Sequence, residues 1–126
     1  MTAIDRIRAK FWDQMPARIA KLEALLEDAR KGEAASTEAL ASLIHTAKGE
    51  AQLLNLEPCA ALLEAADRML KATRGPSGLP RPSIDALADV RAALAELVQA
   101  PAGGAATRSA FTSLESALGG RGLEHA

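Results

Sequence analysis

Three residues near the middle of the chain, His45, Lys48 and Gly49, have types and a spacing that could carry phosphoryl chemistry. Residues three and four positions apart lie along one side of an α-helix, so the lysine and the glycine would border the imidazole. An imidazole can act as a nucleophile, and an ammonium group attracts phosphate. A glycine leaves open space beside the ring. The spacing is therefore consistent with a site at which a histidine carries a phosphoryl group, one interpretation among those that these residue types allow.

The helical phase of this segment predicts whether His45 lies in the core or outside it. At about 100° per residue, six apolar residues fall within about 50° of one direction: Leu40, Leu43, Ile44, Ala47, Ala51 and Leu54. His45 points roughly 140° away from Leu40, and Lys48 lies at roughly 80°, on the border between core and solvent. We therefore expect an imidazole that solvent or a partner protein can reach.

Lys48 and Gly49 each allow a second interpretation. Lys48 is also consistent with an ordinary solvated surface charge. A glycine inside a helix costs about 1 kcal/mol relative to alanine. Either the close approach of a partner's backbone or simple tolerance explains Gly49, and the sequence does not decide between them.

The first half of the chain predicts two helices. Apolar residues recur at helical spacing from Ile4 to a basic last turn before Gly32, and Pro16 either kinks this helix or starts a new one. Ser36 or Thr37 is expected to cap the second helix. That helix carries apolar positions from residue 39 to residue 54, before Asn55, a residue that tolerates a left-handed conformation.

The second half predicts two further long helices and a short one. Pro58 is expected in the first turn of the third helix, which runs to about Thr73. After a loop at residues 75–82, Ser83 is expected to cap the fourth helix, and a shorter helical pattern follows at residues 111–118. Four long amphipathic helices with short connections predict an all-α fold, an antiparallel up-and-down four-helix bundle with an additional short C-terminal helix. We expect one domain, residues 1–118, and a flexible tail, residues 119–126.

Composition argues against several classes of function. The chain has 15 basic and 16 acidic residues, a net charge of −1 and 2% aromatic residues, which disfavours nucleic-acid binding. Cys59 is the one cysteine, so neither an internal disulfide nor a thiolate zinc site can form. No apolar run approaches the roughly 18–20 residues that span a bilayer. With no signal-peptide core at the N-terminus either, we expect no membrane association and a cytoplasmic location.

The segment Leu43-Ile44-His45-Thr46-Ala47-Lys48-Gly49-Glu50-Ala51, followed by Leu53-Leu54-Asn55-Leu56, resembles the signature of histidine-containing phosphotransfer (HPt) domains. In that family a histidine, two variable residues, Lys-Gly, a small residue and Ala precede a Leu/Phe-Gly pair on the phosphorylated helix. The patterns at residues 11–26, 63–70 and 111–118 also resemble the N-terminal HPt domain of chemotaxis-type histidine kinases. The likeness covers roughly residues 4–118.

The resemblance implies a role for several residues. His45 would take the phosphoryl group on Nε2, Lys48 would assist electrostatically, and Gly49 would leave room for a receiver domain. Asp67 aligns with a family glutamate that accepts a hydrogen bond from the histidine Nδ1, and Glu64 aligns with a second polar residue. For both acids a solvated helix face remains an alternative.

The sequence departs from the family pattern at three positions. Glu50 replaces a small residue but points away from His45, and Asn55 replaces a glycine. Asp67 is one methylene shorter than the family glutamate, which puts its reach to His45 in question. His125, near the C-terminus, resembles no family residue, and we expect it to be inert.

The function that the resemblance implies is that of a phosphorelay intermediate. It would exchange a phosphoryl group with an aspartate of a receiver (response regulator) domain, and the catalytic domain of a histidine kinase would be its other partner. No nucleotide site and no cofactor are expected on this chain, and the Mg²⁺ needed for transfer would lie on the receiver. The docking surface is expected to surround the histidine, with the candidate residues Ala41, Gly49, Gln52 and Leu53.

Two other functions remain as alternatives. One is a helical interaction module that has an HPt-like fold and is never phosphorylated. The other is a mononuclear metal site formed by His45, Glu64 and Asp67, which is a poor ligand set with a lysine alongside. The sequence does not distinguish a stand-alone shuttle from one domain of a larger kinase.

Overall fold

The structure, a computed structural model, describes the backbone of residues 1–124 and the side chains of residues 1–119. Its helices are α1 (Ala3–Arg30), α2 (Ala35–Leu53), α3 (Cys59–Thr73), α4 (Arg81–Gln99) and α5 (Ala105–Glu124). Contacts between α1 and α2, α2 and α3, α3 and α4, and α4 and α1 close a four-helix bundle. α5 packs outside it, against α3 and α4. The predicted all-α fold, a four-helix bundle with an additional C-terminal helix, is confirmed.

The core of the bundle forms from the apolar stripes that the sequence predicts. On α2 and at its end, five of the six residues expected in the core are buried, and Leu43 is partly buried. The other helices present apolar side chains to the same interior, and the largest that are fully buried include Met15, Leu22, Leu26, Leu63, Met69, Leu87 and Leu97. Burial of the apolar stripe fixes the rotational orientation of α2 about its axis. That orientation determines which residues of α2 face outward.

α1 is one continuous helix through Pro16, so the alternative in which a new helix starts there is wrong. The helix begins in a capping box: Thr2 Oγ1 accepts a hydrogen bond from the Asp5 backbone N–H at 3.2 Å. The Asp5 carboxylate in turn accepts one from the Thr2 backbone N–H at 3.0 Å. At the other end Gly32 has a φ of +83°, the left-handed conformation expected after a helix.

The predicted caps of α2 are wrong. Ser36 and Thr37 are buried inside the helix, and the residue at the N-cap position is Ala34, which makes no side-chain cap. The Ser36 hydroxyl donates a hydrogen bond to the Glu33 carbonyl. The hydroxyl thus bonds to a carbonyl three residues earlier, which satisfies a buried polar group but caps no backbone N–H of the helix.

The predicted cap of α4 is wrong for a related reason. Ser83 lies within the helix, is 1% exposed, and its hydroxyl donates to Thr73 Oγ1 at 2.8 Å. Thr73 Oγ1 in turn donates to the Met69 carbonyl at 2.9 Å, so this buried polar pair joins α3 to α4. The prediction for the end of α2 is confirmed, because Asn55 adopts a φ of +54°.

α5 is longer than the pattern at residues 111–118 predicts. Its N-terminus is held by a side chain of α4: the Glu96 carboxylate accepts hydrogen bonds from the backbone N–H groups of Ala106 at 3.1 Å and Thr107 at 2.9 Å. It also accepts one from the Thr107 hydroxyl at 2.7 Å. The helical backbone continues to Glu124. The domain boundary at residue 118 and the flexible tail at residues 119–126 stay predictions. His125 lies outside the described residues.

Two observations bear on the functions that composition disfavours. Within the part of the chain that the structure describes, no helix is both long enough and apolar enough to cross a membrane. Cys59 is fully buried, and burial raises the pKa of its thiol to about 12. The thiol therefore stays protonated and packs as a small apolar group. The cytoplasmic location stays a prediction.

The link between Glu96 and α5 should make stability depend on pH. Hydrogen bonds from Thr107 and Ala106 lower the pKa of Glu96 from 4.5 to about 2, although burial opposes the shift. The charged carboxylate therefore stabilises the fold above about pH 4.5, and this contribution is lost as the pH falls towards 2. Melting temperatures of the wild type and Glu96→Gln should differ above pH 4.5 and converge as the pH falls.

Glu115→Gln is the matched control, because Glu115 is an exposed acid on α5 for which the structure gives no such hydrogen bonds. A difference between wild type and Glu96→Gln that stays constant from pH 6 to pH 2 would contradict the capping role.

Candidate functional site

The candidate site lies where α2 and α3 pack side by side. α2 contributes His45 and, one turn later, Lys48, while α3 contributes Asp67 and, one turn later, Lys71. The Asp67 Oδ2 atom is 3.0 Å from Lys48 Nζ and 2.9 Å from Lys71 Nζ. The Asp67 Oδ1 atom lies 3.5 Å from His45 Nδ1. The structure thus brings together His45, Lys48 and Asp67, which the sequence analysis named as site residues, and adds Lys71.

Exposure differs sharply between these side chains. The His45 side chain is 62% exposed, whereas that of Asp67 is 7% exposed. The Lys48 side chain is 15% exposed, and that of Lys71 is 59% exposed. The imidazole therefore projects into solvent from a buried carboxylate. Because Nδ1 faces Asp67, Nε2 on the far side of the ring faces outward.

The two lysines keep Asp67 ionised. Burial alone raises the pKa of the Asp67 carboxyl, but the hydrogen bonds and charges of Lys71 and Lys48 outweigh burial and lower the pKa overall. A buried carboxylate is tolerated when cations pair with it in this way. The charged carboxylate of Asp67 therefore lies against the Nδ1 side of His45, with the two lysines on its other oxygen.

The short side chain of Asp67 brings its carboxylate close to His45 but not within full hydrogen-bond distance. At 3.5 Å, the separation of His45 Nδ1 and Asp67 Oδ1 exceeds the usual hydrogen-bond length of about 3 Å. The carboxylate therefore lies next to the imidazole without closing a full hydrogen bond. Its closest partners are the two lysines.

Glu64 lies apart from this cluster. Its carboxylate accepts a hydrogen bond from Gln52 Nε2 at 2.9 Å, which gives α2 and α3 a second polar link. Among the described residues, no three histidine, cysteine or acidic side chains come close enough to hold a metal ion. The structure therefore does not bring His45, Glu64 and Asp67 together as a ligand set.

Gly49 and Leu53 present an open surface on the same helix as His45. A Cβ atom added to Gly49 would have no heavy atom within 4 Å, so the fold itself does not require a glycine there. Leu53 is 81% exposed, which is unusual for a leucine next to a packed core. On α1, Ile4 and Ile7 are also exposed, at 41% and 51%.

Two of these apolar residues, Ile7 and Leu53, line an open concavity between α1 and α2. Its walls are formed by Ile7, Lys10, Phe11, Gln14, Glu50, Leu53 and Leu54. Glu50, a departure from the family pattern, forms an ion pair of 2.7 Å with Arg18 of α1, and the Arg18 guanidinium lies over the Phe11 ring. Glu50 thus joins α2 to α1, and its ion-pair partner is Arg18 rather than His45.

A second concavity, of about 220 Å³, opens beside His45 towards the first half of α2. It is lined by Glu38, Ala41, Ser42, His45, Asp67, Leu70, Lys71 and Arg74. Ala41, one of the expected docking residues, lies in this wall and is partly buried. In the same wall Arg74 pairs with Glu38 at 3.3 Å.

The sequence alone did not single out Lys71 or Arg18. A signal for Lys71 exists, because it follows Asp67 by four residues and so lies on the same face of α3. Arg18 has no comparable signal, since its partner Glu50 is 32 residues away in the sequence.

Comparison with known proteins gives one family. The family described as Hpt domain matches residues 6–100 of the chain. No match was found among curated proteins or among solved structures.

The open space at Gly49 predicts a gain in stability on substitution by alanine. Gly49→Ala should raise the free energy of unfolding by about 1 kcal/mol, because alanine has the higher helix propensity and its Cβ meets nothing. Urea denaturation would measure the change. Gly103→Ala is the contrasting variant and should destabilise, because Gly103 has a φ of +84° and a Cβ there would lie 3.2 Å from the Thr107 hydroxyl oxygen. A loss of stability in Gly49→Ala would mean that the fold requires this glycine.

Proposed function

Since the chain belongs to the Hpt domain family, we propose that His45 is the residue that carries the phosphoryl group. The protein is a histidine phosphotransfer domain of a two-component system, and Hpt domains interact with kinase and receiver domains. The observation that supports His45 most directly is its exposed imidazole, whose Nδ1 faces the buried Asp67 carboxylate. The likeness to chemotaxis-type kinases stays a prediction.

The proposed step is an in-line transfer at Nε2. The Nε2 lone pair attacks phosphorus, an N–P bond forms, and the bond between phosphorus and the donor oxygen breaks with its electron pair going to that oxygen. In transfer to a receiver, a carboxylate oxygen of an aspartate attacks phosphorus and the electron pair of the N–P bond returns to Nε2. Attack on phosphorus requires an unprotonated Nε2 on the open side of the ring, and transfer to the receiver regenerates it, with the proton staying on Nδ1 in both directions. A carboxylate beside Nδ1 favours this tautomer, because it attracts the Nδ1 proton.

Lys48 supplies positive charge to the site. Phosphoryl transfer spreads negative charge over the oxygens of the transferred group, and fixed cations nearby lower the barrier. Lys48 is held in place by packing and by Asp67, so it needs little reorganisation during transfer. We propose that the chain itself uses no cofactor and that Mg²⁺ is bound by the receiver.

We propose further that the receiver docks on the surface that contains Gly49, Gln52 and Leu53, extending to the exposed isoleucines of α1. Exposed apolar side chains beside a reactive group suit a transient contact of modest area. The missing side chain at Gly49 lets the receiver's backbone approach the imidazole closely. Ala41, in the wall on the other side of His45, would mark the opposite edge of this surface.

Substitution of His45 tests the phosphocarrier function. Wild-type protein incubated with a phosphodonor histidine kinase and radiolabelled ATP should take up label that is stable in base and labile in acid. His45→Gln should take up none, because the amide has no nucleophilic nitrogen. Thermal unfolding should be little changed, since this side chain is largely exposed.

The outcomes separate the two functions that remain. If His45→Gln is labelled as well as the wild type, His45 is not the carrier. If the wild type takes up no label from any kinase of the same cell, while it still binds a receiver domain, the alternative of a non-phosphorylated interaction module is favoured.

A bulky side chain at position 49 tests the docking surface. Gly49→Leu should weaken receiver binding by about tenfold or more, equivalent to about 1.4 kcal/mol, because the side chain would stand where the partner must approach. Gly119→Leu is the matched control: a Cβ at Gly119 also meets nothing within 4 Å, but this residue lies on α5, which packs against α3 and α4. Titration calorimetry with the receiver measures both. Equal affinities for the two variants would refute the docking surface.

A further inference from the structure

Lys71 occupies a position in the cluster that the proposed transfer step does not yet use. Its Nζ atom lies 2.9 Å from Asp67 Oδ2, the same oxygen that Lys48 Nζ approaches to 3.0 Å. The other oxygen, Oδ1, faces His45 Nδ1. The two oxygens of one carboxylate are thus divided: one serves both lysines, and the other is left for the histidine.

The two ammonium groups reach Asp67 from different helices. Lys48 belongs to α2, and Lys71 belongs to α3 together with Asp67 itself. An ammonium group is a compact point charge without the planar fork of a guanidinium, so a single lysine does not determine which way a carboxylate turns. Two ammonium groups on one oxygen, from two helices, do restrict the turn, because rotation of the carboxylate would break both contacts.

From this geometry we propose that Lys71 is a positioning residue of the phosphotransfer site, an inference that rests on the proposed role of His45. With Lys48 it holds Asp67 so that Oδ1 stays turned towards His45 Nδ1. The Nδ1–H tautomer is thereby favoured, and the lone pair of Nε2 points outward. Lys71 acts through Asp67 and does not touch the phosphoryl group in this proposal.

The exposure of Lys71 separates this role from a purely structural one. Its side chain is 59% exposed, and an exposed pair four residues apart on one helix contributes little to stability. The neighbouring cation Arg74 is paired with Glu38, so it does not replace Lys71 on Asp67. We therefore expect loss of Lys71 to change the imidazole more than the fold.

The test compares three variants: Lys71→Gln, Lys71→Arg and, as a matched control, Arg68→Gln. Arg68 is an exposed cation on α3, one residue after Asp67 and outside the cluster, so its loss removes the same charge without touching the carboxylate. Two quantities are measured for each: the tautomer ratio of the neutral His45 ring, by nitrogen-15 NMR, and the rate of labelling by a phosphodonor kinase.

In Lys71→Gln the population of the Nδ1–H tautomer should fall, and the labelling rate should fall roughly three- to tenfold, the effect of a modest loss of orientation at the nucleophile. Lys71→Arg should restore most of both, and Arg68→Gln should leave both unchanged. An unchanged or increased Nδ1–H population in Lys71→Gln would overturn the proposal, whatever happens to the melting temperature.

An Asp67→Asn background identifies the route of the effect. If Lys71 acts through Asp67, Lys71→Gln should cause no further loss of rate in that background. A full additional loss would overturn the proposal, because it would mean that Lys71 acts on the phosphoryl group or the partner directly. The tautomer measurement needs no phosphorylation. A fall in the Nδ1–H population of Lys71→Gln, in a protein that takes up no label, would therefore support the positioning role of Lys71 while refuting the proposed function.

Discussion

The carboxylate of Asp67 is buried between α2 and α3, where it meets two lysines and one histidine. A carboxylate without cations in such a place would cost several kcal/mol. The pairing with Lys48 and Lys71 therefore allows α2 and α3 to pack closely around the carboxylate. It also puts a negative charge beside Nδ1 of His45, and Nε2, on the other side of the ring, therefore faces outward.

Next to this buried carboxylate, α2 has one side packed in the core and one side open to solvent. The apolar stripe of α2 is buried up to Leu54, so the helix cannot rotate without exposing its core. On the opposite side of the same helix lie an exposed imidazole, a glycine with empty space above it and an exposed leucine. The packing of α2 fixes the place and the outward side of this nucleophile before a partner arrives, which is how a domain without a nucleotide site can contribute to transfer.

Helical phase made much of this predictable from the sequence. The outward direction of His45, the buried stripe of α2 and the left-handed Asn55 all follow from local rules, and the structure agrees with them. The predicted caps failed because the Ser36 hydroxyl bonds to the Glu33 carbonyl and the Ser83 hydroxyl bonds to Thr73 of α3. The contact of Ser83 depends on packing between segments. The start of α5 was missed for the same reason, since its N-terminus is held by Glu96 of another helix.

The polar partners in the site show the same limit. The role of Asp67 follows from the resemblance to the Hpt family, and the distance of its carboxylate from Nδ1 depends on how α2 and α3 pack. The ion pair of Arg18 with Glu50 joins residues that no local pattern relates. Lys71 lies one turn from Asp67 and was within reach of sequence reasoning, but its significance depends on Lys48 meeting the same oxygen from the other helix.

The central claim is that Asp67 faces Nδ1 and leaves Nε2 as the reactive atom of His45. The most direct measurement is the position of phosphorus on the imidazole of the phosphorylated protein, by nitrogen-15 and phosphorus-31 NMR with labelled histidine. We expect phosphorus bonded to Nε2 of His45. Phosphorus on Nδ1, or on any residue other than His45, would contradict it.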